Sequence, residues 1–80
     1  LGGGAIPVVA TLTTRDYDLL ERAIARGQRL SFHRRGRTIT VVPTRLLTSG
    51  RSEVIEARQP STGETITISL DTVERIEDPR

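Results

Sequence analysis

Cysteine, lysine, methionine, tryptophan and asparagine are all missing from this 80-residue chain, and histidine occurs once, as His33. Without cysteine there is no disulfide scaffold, no thiolate nucleophile and no cysteine zinc site. A lone histidine excludes histidine-cluster metal sites as well, so neither a metal nor any other cofactor is expected. Aromatic residues are nearly absent too: Tyr17 and Phe32 are the full set, and the core must therefore be aliphatic. No apolar run approaches the roughly 18–20 residues that cross a bilayer. What remains is 35% apolar, about 28 residues, which supports one compact core. A chain this short buries only about 60% of its extended surface and has no room for an enclosed substrate chamber. These absences point away from enzymes, metalloproteins and membrane proteins, and towards a cytoplasmic location.

With no lysine, all twelve cationic residues are arginine. Arginine holds its charge at any working pH and presents a planar fork that fits phosphate and carboxylate. Such a composition suits a nucleic-acid surface; codon usage in a GC-rich genome or thermophile avoidance of labile residues would produce it equally well. The net charge of +2 conceals an uneven distribution. Residues 1–28 balance. Residues 29–58 hold Arg29, Arg34, Arg35, Arg37, Arg45, Arg51 and Arg58 against Glu53 and Glu56. Residues 59–80 reverse the sign, with Glu64, Asp71, Glu74, Glu77 and Asp78 against Arg75 and Arg80. A basic middle and an acidic end either steer partners or pair with each other inside the fold.

The chain opens at Leu1 rather than methionine, which suggests a processed or partial chain. Gly2, Gly3 and Gly4 read as linker, and residues 1–12 as a flexible or extended arm in which Ile6–Leu12 could form a first strand. The domain proper is expected over 13–78. Thr13 or Thr14 can N-cap a helix, Asp16 and Asp18 place negative charge in its first turn, and Gly27 is a left-handed stop. Tyr17, Leu20, Ala23 and Ile24 form one apolar stripe, which predicts a helix over 14–26. Beyond Gly27 the period changes to two. Leu30 and Phe32 alternate with Ser31 and His33, and Arg35-Gly36-Arg37 turns the chain. Thr38–Val42 is β-branched throughout and Pro43 is expected to end its ladder. Ser49-Gly50 reads as a turn, Glu53–Arg58 as a third strand, Pro60–Gly63 as another turn, and Glu64–Leu70 as a cleanly alternating strand. Asp71 caps a short turn or the chain continues as a strand through Val73 and Ile76. The expected architecture is mainly β with one N-terminal α-helix: a small, strongly bent antiparallel sheet or barrel of four to five strands, Sm/SH3-like, with the helix plugging one open end.

No Ser/His/Asp arrangement stands out, because His33 has no carboxylate near it in sequence, and Glu53 and Glu56 read as solvated strand residues. No glycine loop leads from a strand into a helix to cradle phosphate. The densest functional signal is cationic. Arg29, His33, Arg34, Arg35 and Arg37 fall around one tight turn, with Arg45 and Arg51 expected on the neighbouring strands. Such a group neutralises phosphates and binds single-stranded nucleic acid with little regard for sequence. Base reading needs stacking faces, and Phe32 alternates inward. A solvated hairpin tip kept soluble by its charge is the structural alternative.

The segments LLERAIARGQRLSFHRRGR, VVPTRLL, VIEAR and TGETITISLDTVERIE, which together cover residues 19–77, resemble the WYL domain, a small Sm/SH3-related barrel. The Trp-Tyr-Leu positions of that family align with Glu53, Val54 and Ile55; the aromatic ending its first strand aligns with His33, and its closing arginine with Thr72. The resemblance implies a regulatory module of a larger bacterial DNA- or RNA-acting protein, such as a transcription regulator or helicase, that binds nucleic acid or a nucleotide-like ligand. A second resemblance, carried by DYDLLERA and GETITISLD, is to the Rho-binding antiterminator family. It implies instead a protein-interaction module that docks a partner by an acidic helix face, at Asp16, Asp18 and Glu21, or by an edge strand.

Overall fold

A computed structural model describes residues 12–79; of the expected arm over residues 1–12, residues 1–11 lie outside the described part, and Leu12 packs against the core. The helix forms where the stripe places it, as α1 (Thr14–Arg26). Thr13 caps it reciprocally: the Asp16 backbone N–H donates to Thr13 Oγ1 at 3.2 Å, and the Thr13 backbone N–H donates to Asp16 Oδ2 at 2.9 Å. Two of the orphan donors at the helix start are thereby satisfied. Gly27 ends the helix at φ 66°, and its N–H donates to the Ala23 carbonyl. Leu20 and Ala23 are buried, and Tyr17, Leu19 and Ile24 pack partly against the same core.

Five antiparallel strands follow: β1 (Leu30–Arg34), β2 (Arg37–Ser49), β3 (Ser52–Arg58), β4 (Thr65–Ser69) and β5 (Arg75–Glu77). The spatial order is β4-β3-β2-β1-β5. The architecture is mainly β with one helix, a small bent sheet of barrel-like form, as the alternation of the sequence implies. Around Asp71 the structure differs from both options: Asp71 lies inside a 3₁₀ turn, Leu70–Thr72, that Ser69 rather than Asp71 precedes as N-cap, and the chain resumes as a strand only at Arg75, so that Ile76 but not Val73 is in β5.

One expectation fails. Pro43 does not end the second strand, which runs unbroken for 13 residues. Pro43 sits opposite Ala57, and the register with β3 then shifts between Pro43 and Arg45. Thr44 is the extra residue of a β-bulge, the setting in which a strand tolerates proline and bends. The two parts of β2 therefore serve different neighbours. Residues 37–41 pair with β1, and residues 42–49 pair with β3. The core is continuous across the bend: Leu30, Phe32, Val41 and Ile76 from one half meet Ile55, Ala57 and Ile68 from the other, with Leu20 and Ala23 of α1. Among the described residues no helix is long and apolar enough to cross a membrane.

Candidate anion site at the hairpin tip

The β1–β2 hairpin closes on two residues, Arg35 and Gly36, with φ 50° and 74°. Positive φ at both central positions is what a type I′ turn requires, and the right-handed twist of the flanking strands selects that turn. Glycine meets the requirement freely. Arg35 does not, and it is the one non-glycine residue at positive φ among those described. The turn brings Arg34 directly opposite Arg37 in the ladder. Both continue the face that carries Phe32 and Ile39 and so extend the core side of the sheet beyond the core itself. Like charges facing each other across a strand pair are unfavourable.

Arg34, Arg35, Arg37 and Thr72 line one cavity of about 450 Å³. Thr72 comes from the 3₁₀ turn, where its hydroxyl donates to the Ser69 carbonyl at 2.8 Å. No carboxylate lines this cavity. None of the three arginines makes an ion pair with another described residue. Arg34 is half-buried, while Arg35 and Arg37 are exposed. The site is thus three arginines and a threonine at one end of the sheet, and an acidic side chain, Glu74, lines a neighbouring cavity with Arg37 and His33.

The remaining arginines expected at this site lie elsewhere. Arg29 precedes β1, so about six residues of extended chain, roughly 20 Å, separate it from Arg35; it lines a different cavity with Thr40 and Asp78. Arg45 faces Glu56 across the β2–β3 ladder, its Nε 3.7 Å from Glu56 Oε1. Arg51 is exposed in the β2–β3 turn, at the other end of β2 from Arg37. The single rim of guanidinium groups foreseen from sequence spacing is not formed. Spacing along the chain overstates proximity here because a strand separates residues by about 3.3 Å at each step and the sheet bends between its halves.

His33 stands on the outer face of β1, on the opposite side of the strand from Arg34. The carboxylate it lacks in sequence arrives from β5: His33 Nε2 lies 2.8 Å from Glu77 Oε1, and Thr38 Oγ1 lies 2.9 Å from Nδ1. A carboxylate only accepts, so Nε2 carries the proton; in the neutral ring Nδ1 then accepts from the Thr38 hydroxyl. Arg75 approaches the same carboxylate, 3.7 Å from Nη2 to Oε1. His33 therefore ties β2, β1 and β5 together. The acidic end of the chain folds back beside β1, as the charge asymmetry allowed: Glu77 meets His33 and Arg75, and Glu74 lines a cavity with His33 and Arg37.

No family model matches this chain, and no curated protein matches it.

Two other sequence-level assignments change. Glu53 is not a freely solvated strand residue: it is half-buried and accepts a 2.6 Å hydrogen bond from the Tyr17 hydroxyl. Asp16, expected on an acidic docking face, is engaged in the helix cap. The exposed side of α1 interleaves Arg15, Arg22 and Arg26 with Asp18 and Glu21, which gives it mixed charge. Among the described residues no three His, Asp or Glu side chains gather as a metal site. Thr72, the position that aligns with the closing arginine of the WYL domain, was not among the expected anion-binding residues, and it is 35 positions from Arg37 in sequence.

Proposed function

We propose that this domain is a non-catalytic accessory module that contacts single-stranded nucleic acid in the cytoplasm through Arg34, Arg35 and Arg37. It would serve as one part of a larger DNA- or RNA-acting protein. The observation that carries the reading is that three arginines line one cavity with no carboxylate among the described residues of its wall. Planar forks bind phosphate oxygens bidentately, and phosphate contacts hold a strand in place without reading its sequence. The resemblance of residues 19–77 to the WYL domain adds the regulatory setting. The poverty in exposed aromatics argues against base recognition: Phe32 is fully buried and Tyr17 is occupied with Glu53.

The test is a titration of a fluorescent single strand across salt concentrations, with wild type and the triple variant Arg34→Gln, Arg35→Gln, Arg37→Gln. Three phosphate contacts predict a slope of log K against log salt of about −2, at roughly −0.7 per contact. The triple variant should fold with unchanged circular dichroism and lose measurable binding. Undiminished affinity in that variant would remove the hairpin from the function.

A second reading, docking of a protein strand, draws on β4. This end strand pairs only with β3, and its sequence Thr65–Ser69 contains neither charge nor proline, the usual devices that protect a sheet edge. Capture of a protein partner that survives both nuclease treatment and the triple arginine substitution would favour it.

A further inference from the structure

The hairpin tip departs from what stability alone would select in two ways at once. Arg34 opposes Arg37 across the ladder and neither makes an ion pair with a described residue, and Arg35 occupies the left-handed region where asparagine or glycine is the ordinary choice. A strained turn residue and facing like charges gathered at one place point to a ligand as their reason. The form of the site says which kind. Its three arginines line one half-open cavity of about 450 Å³, within the usual range for small-ligand pockets of roughly 300–1,000 Å³. They do not continue as a track: Arg29, Arg45 and Arg51 are at the other end of β1, on Glu56, and in the far hairpin respectively. A strand lying across the surface would present singly charged diesters, only a few of which could find a partner.

We infer that the cavity takes a phosphate monoester, the terminal phosphate of a single strand or that of a nucleotide. This deepens the nucleic-acid reading and rests on it. A monoester carries close to two negative charges at neutral pH and three terminal oxygens. Two forks can each grip it bidentately, leaving the third arginine for a further contact, while the Thr72 hydroxyl, which donates to the Ser69 carbonyl, serves as cavity wall. An internal diester has one charge and two free oxygens and would leave the Arg34–Arg37 repulsion only half offset. Recognition through phosphate also needs no base platform, in keeping with the burial of Phe32.

The experiment compares single strands of one sequence bearing a phosphate at the 5′ end, at the 3′ end, or at neither, each as a tetramer and as a dodecamer, together with the corresponding nucleoside monophosphate. Binding is read by anisotropy or calorimetry at fixed salt. A terminal phosphate should tighten binding by about tenfold or more, the effect of one charge-assisted hydrogen bond, and the tetramer and dodecamer should bind alike. A monophosphate that binds as tightly as the phosphorylated strand assigns the site to free nucleotide; a much weaker one assigns it to strand ends. Either result supports the monoester. Strands with and without the phosphate binding equally, and more tightly as length grows, would overturn the monoester inference while leaving the polyanion reading in place. Failure of all ligands to bind would overturn both. Arg35→Gly separates site from scaffold: it should raise the thermal midpoint by relieving the turn and reduce the preference for phosphorylated ends. A variant that is stabilised yet retains the full preference would also count against the inference.

Discussion

Tyr17 is the one tyrosine in a chain without tryptophan, and its hydroxyl donates to Glu53 across 36 residues of sequence. That hydrogen bond to a carboxylate, then partial burial, then the nearby negative charges of Glu53 and Asp71 push the phenol up to about 12 from its usual 10. The direction follows from the chemistry: an ionised phenolate could not donate and would face a carboxylate. Because the folded-state value lies above the unfolded one, the stabilisation is fully present below pH 10 and is lost as the pH rises through about 12. Tyrosinate absorbance should therefore titrate near 12 in the native protein and near 10 in denaturant. A native midpoint at the ordinary value would show that the bond is not made in solution. Tyr17→Phe should cost roughly 1 kcal/mol, the net worth of a half-exposed hydrogen bond. Sequence placed Tyr17 on the packing side of the helix but could not supply Glu53. The arginines of the hairpin tip were legible because four consecutive positions, 34–37, contain the whole turn. Thr72 on the cavity wall and Glu77 on His33 were not, since only the folded sheet brings the last strand beside the first.

At the scale of elements, local chemistry was a good guide wherever the signals were local. The N-cap threonines, the apolar stripe and Gly27 bound α1 at the residues where it is found, and the structure chooses Thr13 over Thr14 as the cap. The hairpin turns sit at Arg35-Gly36 and Gly50-Arg51, where glycine offers positive φ. Pro43 misled because its cost depends on which side of the strand needs an N–H, and only a bulge that no pattern announces makes it harmless. The helix offers a clean measurement. Thr13→Ala removes the hydroxyl that accepts from the Asp16 N–H, and such cap losses cost about 1 kcal/mol. For a domain of this size that is a fall of roughly 4–8 °C in the thermal midpoint. Asp16→Ala, which removes the reciprocal contact to the Thr13 N–H, should give a smaller effect, and the double variant should fall short of the sum, because the two side chains share one motif. Full additivity in thermal denaturation would mean that the two contacts act independently.

Across the whole molecule, the two halves of the bent sheet share β2 and a single core, so they should not unfold separately. Phe32 of β1 lies opposite Ile76 of β5 and, like Ile55 and Ile68 from β3 and β4, is almost completely buried. A domain of 80 residues has a total stability of roughly 4–12 kcal/mol, at about 0.05–0.15 kcal/mol per residue. Removing a buried isoleucine side chain beyond its Cβ costs about 2–5 kcal/mol of it. The short strand β5, three residues long, is therefore a structural keystone rather than a tail, even though two of its three side chains are exposed. Its charged residues contribute less: Arg75 and Glu77 are largely solvated, and surface ion pairs are worth at most about 1 kcal/mol. The chain supplies its own reporters for the two halves. Tyr17 senses the contact of α1 with β3, and His33, the only histidine, senses the clasp of β1 with β2 and β5. In a urea titration, tyrosine fluorescence and the His33 ring resonance should pass through one common midpoint. Ile76→Ala should move both midpoints down together, by the same free energy, although the Tyr17 hydroxyl reports on Glu53 of β3 and not on β5. If the histidine signal were lost first and the tyrosine signal stayed at its original midpoint, β5 would be an appendage on an independently stable sheet, and the continuity of the core across the β2 bend would have no energetic meaning.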